Sequence, residues 1–229
     1  MSNEKIYTIK INEAMNQKCG CPLCTLEQQI ERDEIERILG ASMMEPDVRI
    51  KTNEQGFCHR HFEALLKEPN RLSLALMTET HLRELVKKLY ADTVLPFQKT
   101  PDPKKQLAVL NKNQQNCYLC SRINTFMAQA MGAFVYMYKS DSEFDARLQE
   151  QPYICLKHTR KLFEIASKGL SKDLYKKFCQ TVNDINIAYA TELVSDVNWF
   201  CKKFDYRYKD EDWKNSKDSV ERAVNFLKE

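Results

Sequence analysis

The sequence predicts an all-α, internally duplicated protein in which each half is stapled by a Cys3His metal site and long helices close the chain. Three observations predict it. Only 5 Gly and 7 Pro occur in 229 residues, whereas Leu, Lys, Glu and Gln are plentiful, which favours helices over a turn-rich sandwich. Apolar residues recur at helical spacing along most of the chain. Six of the nine cysteines fall into one register twice.

Leu26, Ile30, Ile35, Ile38 and Leu39 form a helical stripe over residues 25–39, and Gly40 offers a stop. A second stripe, with Leu72, Leu76, Leu82, Leu85, Val86 and Leu89, runs over 72–90 behind a Pro69-Asn70 break and cap. Residues 121–138 are so apolar (Ile123, Phe126, Met127, Met131, Phe134, Val135, Met137) that they predict a buried helix. Residues 172–204 carry Phe178, Val182, Ile185, Tyr189, Leu193, Val197, Phe200 and Phe204 without Gly or Pro. Unbroken, that helix would span about 50 Å at ~1.5 Å per residue. Val220, Ala223, Val224 and Leu227 predict a terminal amphipathic helix, and Ile6–Ile11 admits a short strand.

The duplication rests on cysteine and histidine positions. Cys21-Pro-Leu-Cys24 and Cys117-Tyr-Leu-Cys120 are offset by 96, since 117 − 21 = 96. Cys58-His-Arg-His61 and Cys155-Leu-Lys-His158 are offset by 97, since 155 − 58 = 97. A weaker echo, Glu-x-Asp-x-Arg, occurs at Glu45, Asp47, Arg49 and again at Glu143, Asp145, Arg147. Self-similarity of this kind outweighs any single motif. Pro96, Pro101 and Pro103 lie between the repeats and favour extended chain. The expected organisation is therefore a first metal-binding half, 1–95, a Pro-rich linker, 96–105, and a second metal-binding half, 106–229.

The formal net charge is +3, from 35 Lys+Arg against 32 Asp+Glu, which disfavours a nucleic-acid binder. The first residues lack the apolar core of a secretory signal, and no stretch approaches the ~18 apolar residues of a membrane span. A cytoplasmic protein away from the membrane is the expectation. In a reducing compartment, nine cysteines read as metal ligands or buried thiols before disulfides.

Zn²⁺ favours four ligands in a tetrahedron, and Cys3His is a frequent structural set. Cys-x-x-Cys presents two thiolates from one turn. Cys-x-x-His presents a thiolate and an imidazole from the first turn of a helix, because i and i+3 share a face. The candidate ligands are Cys21, Cys24, Cys58 and His61 in one half and Cys117, Cys120, Cys155 and His158 in the other. Two zinc ions are the expected cofactors, with iron–sulfur clusters as the alternative. Asp47 and Asp145 are candidate carboxylates behind the histidines, and Arg49 and Arg147 candidate counter-charges to excess thiolate; loop charge or helix capping is the competing reading. Cys19 has Gln115 at its register position and reads as a spare thiol or an alternative ligand. Cys179 and Cys201 read as core. His59 has Leu156 at its register position, so the duplication nominates His61 instead.

Cys21-Pro-Leu-Cys24, Met44-Glu-Pro-Asp-Val-Arg-Ile50, Gly56-Phe-Cys58-His-Arg-His61 and the second Cys-x-x-Cys and Cys-x-x-His pairs carry a resemblance. The arrangement resembles a family of uncharacterised bacterial and archaeal proteins of about this length. In the second half, Pro152-Tyr-Ile-Cys155 replaces Gly-Phe-Cys. The resemblance implies no activity.

Three functions compete. One is a structural zinc-binding helical scaffold that binds another protein or itself. The alternative is a thiol- or metal-dependent enzyme or redox sensor using the Glu45, Asp47 and Arg49 region. Nucleic-acid binding comes third, carried only by the Lys-rich 157–177 segment.

Overall fold

The computed structural model describes residues 2–90 and 102–227. Those residues form eleven α-helices and no strand. In order they are α1 (Ser2–Asn16), α2 (Pro22–Leu39), α3 (Pro46–Gln55), α4 (His59–Lys67), α5 (Arg71–Tyr90), α6 (Pro103–Gln115), α7 (Tyr118–Ser140), α8 (Phe144–Gln149), α9 (Leu156–Gly169), α10 (Lys172–Lys202) and α11 (Ser219–Leu227). No helix is long and apolar enough to cross a membrane among the described residues.

The apolar stripes at 25–39, 72–90, 121–138 and 172–204 become α2, α5, α7 and α10. Gly40 follows the end of α2, and the Asn70 side chain accepts the Ser73 amide at 3.2 Å, capping α5. The possible strand at Ile6–Ile11 is instead part of α1. Ile11, Ala14 and Met15 are buried there at i, i+3 and i+4, so the 3.6-residue period wins over the alternation. α10 ends at Lys202, leaving Phe204 exposed. Cys179 is half-buried and Cys201 exposed, not core as the stripe suggests.

The chain divides into two compact units, which do not coincide with the sequence halves. A terminal unit comprises Met1–Gln28 and Met127–Glu229, and a central unit comprises Gln29–Phe126. The chain changes unit inside α2 and again inside α7. Of the expected linker, 96–101 lies outside the described residues, and Pro103 opens α6.

The terminal unit is built on aromatic packing. Phe134, Phe144 and Phe178 are fully buried. Phe134 meets Phe144 edge-on at 4.9 Å, Tyr138 meets Phe178 at 4.8 Å, and Tyr153 stacks on Tyr189 at 4.3 Å. Each such ring contributes ~1.5–3 kcal/mol through burial, and favourable pairing adds about 0.5–1.5 kcal/mol. After α10, Lys203 is buried and donates through Nζ to the carbonyls of Tyr208 and Lys209 at 2.7 and 2.8 Å, and to that of Glu211. Its charge is thereby satisfied by the chain that wraps it.

The central unit packs α3 on α5. Arg49 donates to the Leu76 carbonyl and to Thr80 Oγ1, both at 2.9 Å. Glu34 of α2 is 5% exposed and accepts from Arg37 and Arg122, while Arg37 also donates to the Tyr118 hydroxyl at 3.0 Å. Burial raises the Glu34 pKa, but the Arg122 and Arg37 bonds outweigh it and hold the carboxyl below its ordinary value. A depressed carboxyl contributes stability that is complete above its unfolded pKa and is lost as pH falls through its folded pKa. Glu34→Gln is therefore expected to cost about 2 kcal/mol at pH 7. In urea titrations the gap to wild type should narrow below about pH 4.5; a gap unchanged down to pH 3.5 would exclude this role.

Candidate metal centres

The structure brings all eight nominated ligands together, in two groups of four. Cys21, Cys24, Cys155 and His158 form one, and Cys58, His61, Cys117 and Cys120 the other, each with ligand atoms within 4.8 Å of one another. The partnership is exchanged relative to the sequence reading. Each Cys-x-x-Cys meets the Cys-x-x-His of the other repeat, and each complete group lies inside one compact unit.

The exchange has a physical reason. Spacing constrains the two residues of one turn but not which turn they meet. Closing Cys24 on Cys155 spans 131 residues, against 34 for Cys58. Loop closure grows only as (3/2)RT ln n, so the longer closure costs about 1 kcal/mol more. Packing of the surrounding helices easily outweighs that.

Both centres are made from two helix N-termini. Cys58 and Cys155 are the N-cap residues of α4 and α9, and His61 and His158 follow within the first turn. The Cys-x-x-Cys pairs open α2 and α7 in the same way. The Cys21 carbonyl accepts the Cys24 amide at 3.0 Å, and the Cys117 thiol accepts the Cys120 amide at 3.4 Å. The Cys120 amide thus faces a sulfur, and the positive ends of the helix dipoles lie beside both groups, which suits thiolate.

Supporting loops differ between the units. In the central unit Gly56 has φ +58, and an added Cβ would lie 2.6 Å from His81 Nε2. Its carbonyl accepts the Tyr118 amide at 3.0 Å, joining the approach to Cys58 to the turn carrying Cys117. In the terminal unit Asn186 of α10 takes over, accepting the Ile154 amide at 2.9 Å and donating to Thr159 Oγ1 at 3.1 Å. This replaces the Gly-Phe-Cys element of the first repeat.

In the terminal centre His158 Nδ1 lies 3.7, 3.5 and 3.2 Å from the sulfurs of Cys21, Cys24 and Cys155. In the central centre His61 Nδ1 lies 3.2, 3.2 and 3.3 Å from those of Cys58, Cys117 and Cys120. Sulfur pairs stand at 3.5 Å (Cys24 and Cys155) and 3.8 Å (Cys58 and Cys120). Both histidines are completely buried. Burial and the adjacent Arg60 push the His61 pKa down, which favours the neutral imidazole a metal needs.

The thiols show the same pattern in both centres. Hydrogen bonds from Cys21 and Cys24 hold the Cys155 thiol well below its ordinary value. Burial raises Cys58, but the His61 amide, Cys117 and Cys120 outweigh it and lower its pKa. Burial raises Cys21 and Cys117, and Cys24 and Cys120 are pushed up to about 12, the former chiefly by Cys155 and the latter by burial. In each centre one thiol is pushed down while its two neighbours are pushed up, as like groups sharing one site must be. Three thiolates together require a cation. The donor set therefore fits a metal ion.

The outer nitrogens of the histidines point to carboxylates that sequence reasoning did not nominate. His61 Nε2 lies 3.1 Å from Glu31, and His158 Nε2 lies 3.7 Å from Glu27. Each glutamate also pairs with the basic residue preceding the histidine. Lys157 meets Glu27 at 2.8 Å and Arg60 meets Glu31 at 3.1 Å. Both glutamates stand on α2, one helical turn apart.

The nominated Glu-x-Asp-x-Arg residues are placed elsewhere. Glu45 and Glu143 are N-caps of α3 and α8, Asp47 and Asp145 fall in the first turns, and Arg49 and Arg147 return their amides to the Glu carbonyls at 3.0 and 3.1 Å. Asp47 is exposed. Asp145 pairs with Lys177 at 2.7 Å and accepts from Thr181 at 3.0 Å. Arg147 donates to Asn12 at 2.8 Å. The echo is a repeated helix start. His59 is exposed beside Glu63, as its register demotion implied.

A family model described as "Family of unknown function (DUF6062)" matches residues 1–229. The chain belongs to that family. No curated protein and no solved structure matches it.

Proposed function

We propose that the protein is a zinc-stapled helical scaffold whose business is binding another protein or a second copy of itself. One observation carries the reading: each centre supplies four convergent protein donors, so no position is left for a substrate or a water. A catalytic zinc keeps such a position, whereas a structural one closes it. In the central centre the Glu31 carboxylate, 3.1 Å from His61 Nε2, fixes the ring, as structural and catalytic sites alike require.

The spacing supports a single ion per centre. Four ligands in a tetrahedron, at ~2.3 Å for sulfur and ~2.05 Å for nitrogen, stand ~3.8 Å (S···S) and ~3.6 Å (S···N) apart. The contacts of 3.2–3.8 Å fit these edges. In an iron–sulfur cluster the four ligands are shared among two or four irons, so they do not all converge on one point. The enzyme alternative loses support because Arg49 is committed to packing α3 on α5. The scaffold reading gains support from α5, where Leu72, Leu76, Leu82 and Val86 are between 41% and 69% exposed.

Metal analysis of the purified chain tests the first part. Two equivalents of zinc are expected, with a colourless protein; stoichiometric iron with absorption near 400 nm would overturn it. Light scattering of the same sample, with co-purification, tests self-association against a foreign partner.

A further inference from the structure

Helix α5 is apolar on two opposite faces. One is spent on the core of the central unit: Ser73, Leu74 and Met77 are buried, and His81 Nδ1 lies 2.8 Å from the Asn53 carbonyl of α3. At ~100° per residue, Leu72, Leu76, Leu82 and Val86 fall within about 120° of arc on the opposite side. All four are exposed. A helix that is apolar all round is ordinarily a buried one, yet this stripe faces outward. On the same stripe stand Glu79 and Arg83, which pair with each other while both side chains stay more than half exposed.

The stripe reads alike from its two ends. Glu79 and Arg83 lie two residues either side of position 81, and Leu76 and Val86 lie five residues either side. Laid antiparallel on a copy of itself and crossing at position 81, α5 sets Glu79 against Arg83 of the second copy and Leu76 against Val86. Leu82, one residue from the crossing, meets Leu82. A parallel pairing would instead set Glu79 against Glu79, and like charges so placed repel. The terminal helix α11 also exposes Val220, Val224 and Leu227, but no opposite charges are mirrored about the middle of that stripe.

We propose that α5 is a self-association face, through which two copies of this chain pair as antiparallel helices about a two-fold axis. The proposal rests on the scaffold reading above and names its partner as a second copy. An isologous contact demands this self-complementarity, whereas a foreign partner demands none. A helix face ~30 Å long and ~10 Å wide offers only some hundreds of Å² per copy, less than the ~800 Å² per partner of a standard interface. The dimer is therefore expected to exchange subunits readily.

Sedimentation equilibrium of the full chain, after its zinc has been measured, tests this. The mass should rise with concentration from 26.9 kDa toward twice that value. Glu79→Arg and Arg83→Glu each set like charges against each other across the two-fold axis and should weaken the dimer about tenfold or more. Mixed in equal amounts, the two variants should associate with each other as tightly as wild type. One chain then carries two cations where the other carries two anions. The pairing within the helix is broken in both variants, so it cannot produce that recovery. A chain that stays monomeric with both zinc ions in place would overturn self-association and leave the scaffold reading standing with a foreign partner. A dimer indifferent to both charge variants, or no recovery on mixing, would overturn the α5 face. Failure of the zinc reading shows separately, as a chain without metal whatever its mass.

Discussion

Stripping both metals with a strong chelator is expected to lower the thermal midpoint by at least about 10–20 °C. Each centre joins two helix starts that are far apart in sequence. In the terminal unit these are α2 and α9, in the central unit α4 and α7. Structural zinc contributes an apparent ~10–16 kcal/mol in small zinc peptides, comparable with the ~5–15 kcal/mol net stability of a whole domain. Here each unit has apolar packing of its own, so a net loss of only ~5 kcal/mol is a cautious floor. At ~2–4 °C per kcal/mol for a chain of this size, that gives the stated shift. The loss is compounded by what remains. Two buried histidines and six clustered thiols lose their common partner, and polar groups without a partner are costly to keep inside. Circular-dichroism melts with and without chelator, followed by zinc readdition, check this. A shift under about 3 °C in protein shown to be metal-free would mean that the centres are not staples.

The clustered cysteines and histidines were legible because the repeat marks them twice, and the helices because their apolar period is 3.6. What could not be read is instructive. Cys24 to Cys58 and Cys120 to Cys155 are separated by 34 and 35 residues, which invites pairing within each repeat. A sequence interval reports the length of a loop, however, and loop length is a weak energetic term. The carboxylates were missed for a related reason. The register equivalents of Glu27 and Glu31 are Ile123 and Met127, both buried on the apolar helix α7, so the repeat carries no second copy of them. One signal was available. Arg60 and Lys157 are both basic and both immediately precede a ligand histidine, and a cation beside a thiolate cluster asks for a carboxylate nearby. The row Glu27, Glu31, Glu34 on one face of a helix opened by Cys-x-x-Cys would then have been the natural place to look. Glu-x-Asp-x-Arg misled because its repetition is real but serves to start two helices.

Pairs of cysteine substitutions distinguish exchanged from local partnership more sharply than single ones. Cys21→Ser with Cys155→Ser removes two donors from the terminal centre and none from the central one. That variant should retain one metal equivalent. Cys21→Ser with Cys58→Ser removes one donor from each centre and should retain none at ordinary affinity, since a thiolate lost to a hydroxyl leaves three competent donors. Pairing within the repeats reverses both outcomes: the first variant would then damage two centres and the second only one. Cys58→Ser with Cys117→Ser mirrors the first pair in the central unit and should again leave one equivalent. Because the readout is a count of bound metal, general destabilisation does not imitate the expected pattern. A variant that merely unfolds loses both equivalents, whereas the exchanged arrangement requires two specific doubles to keep one and a third to keep none.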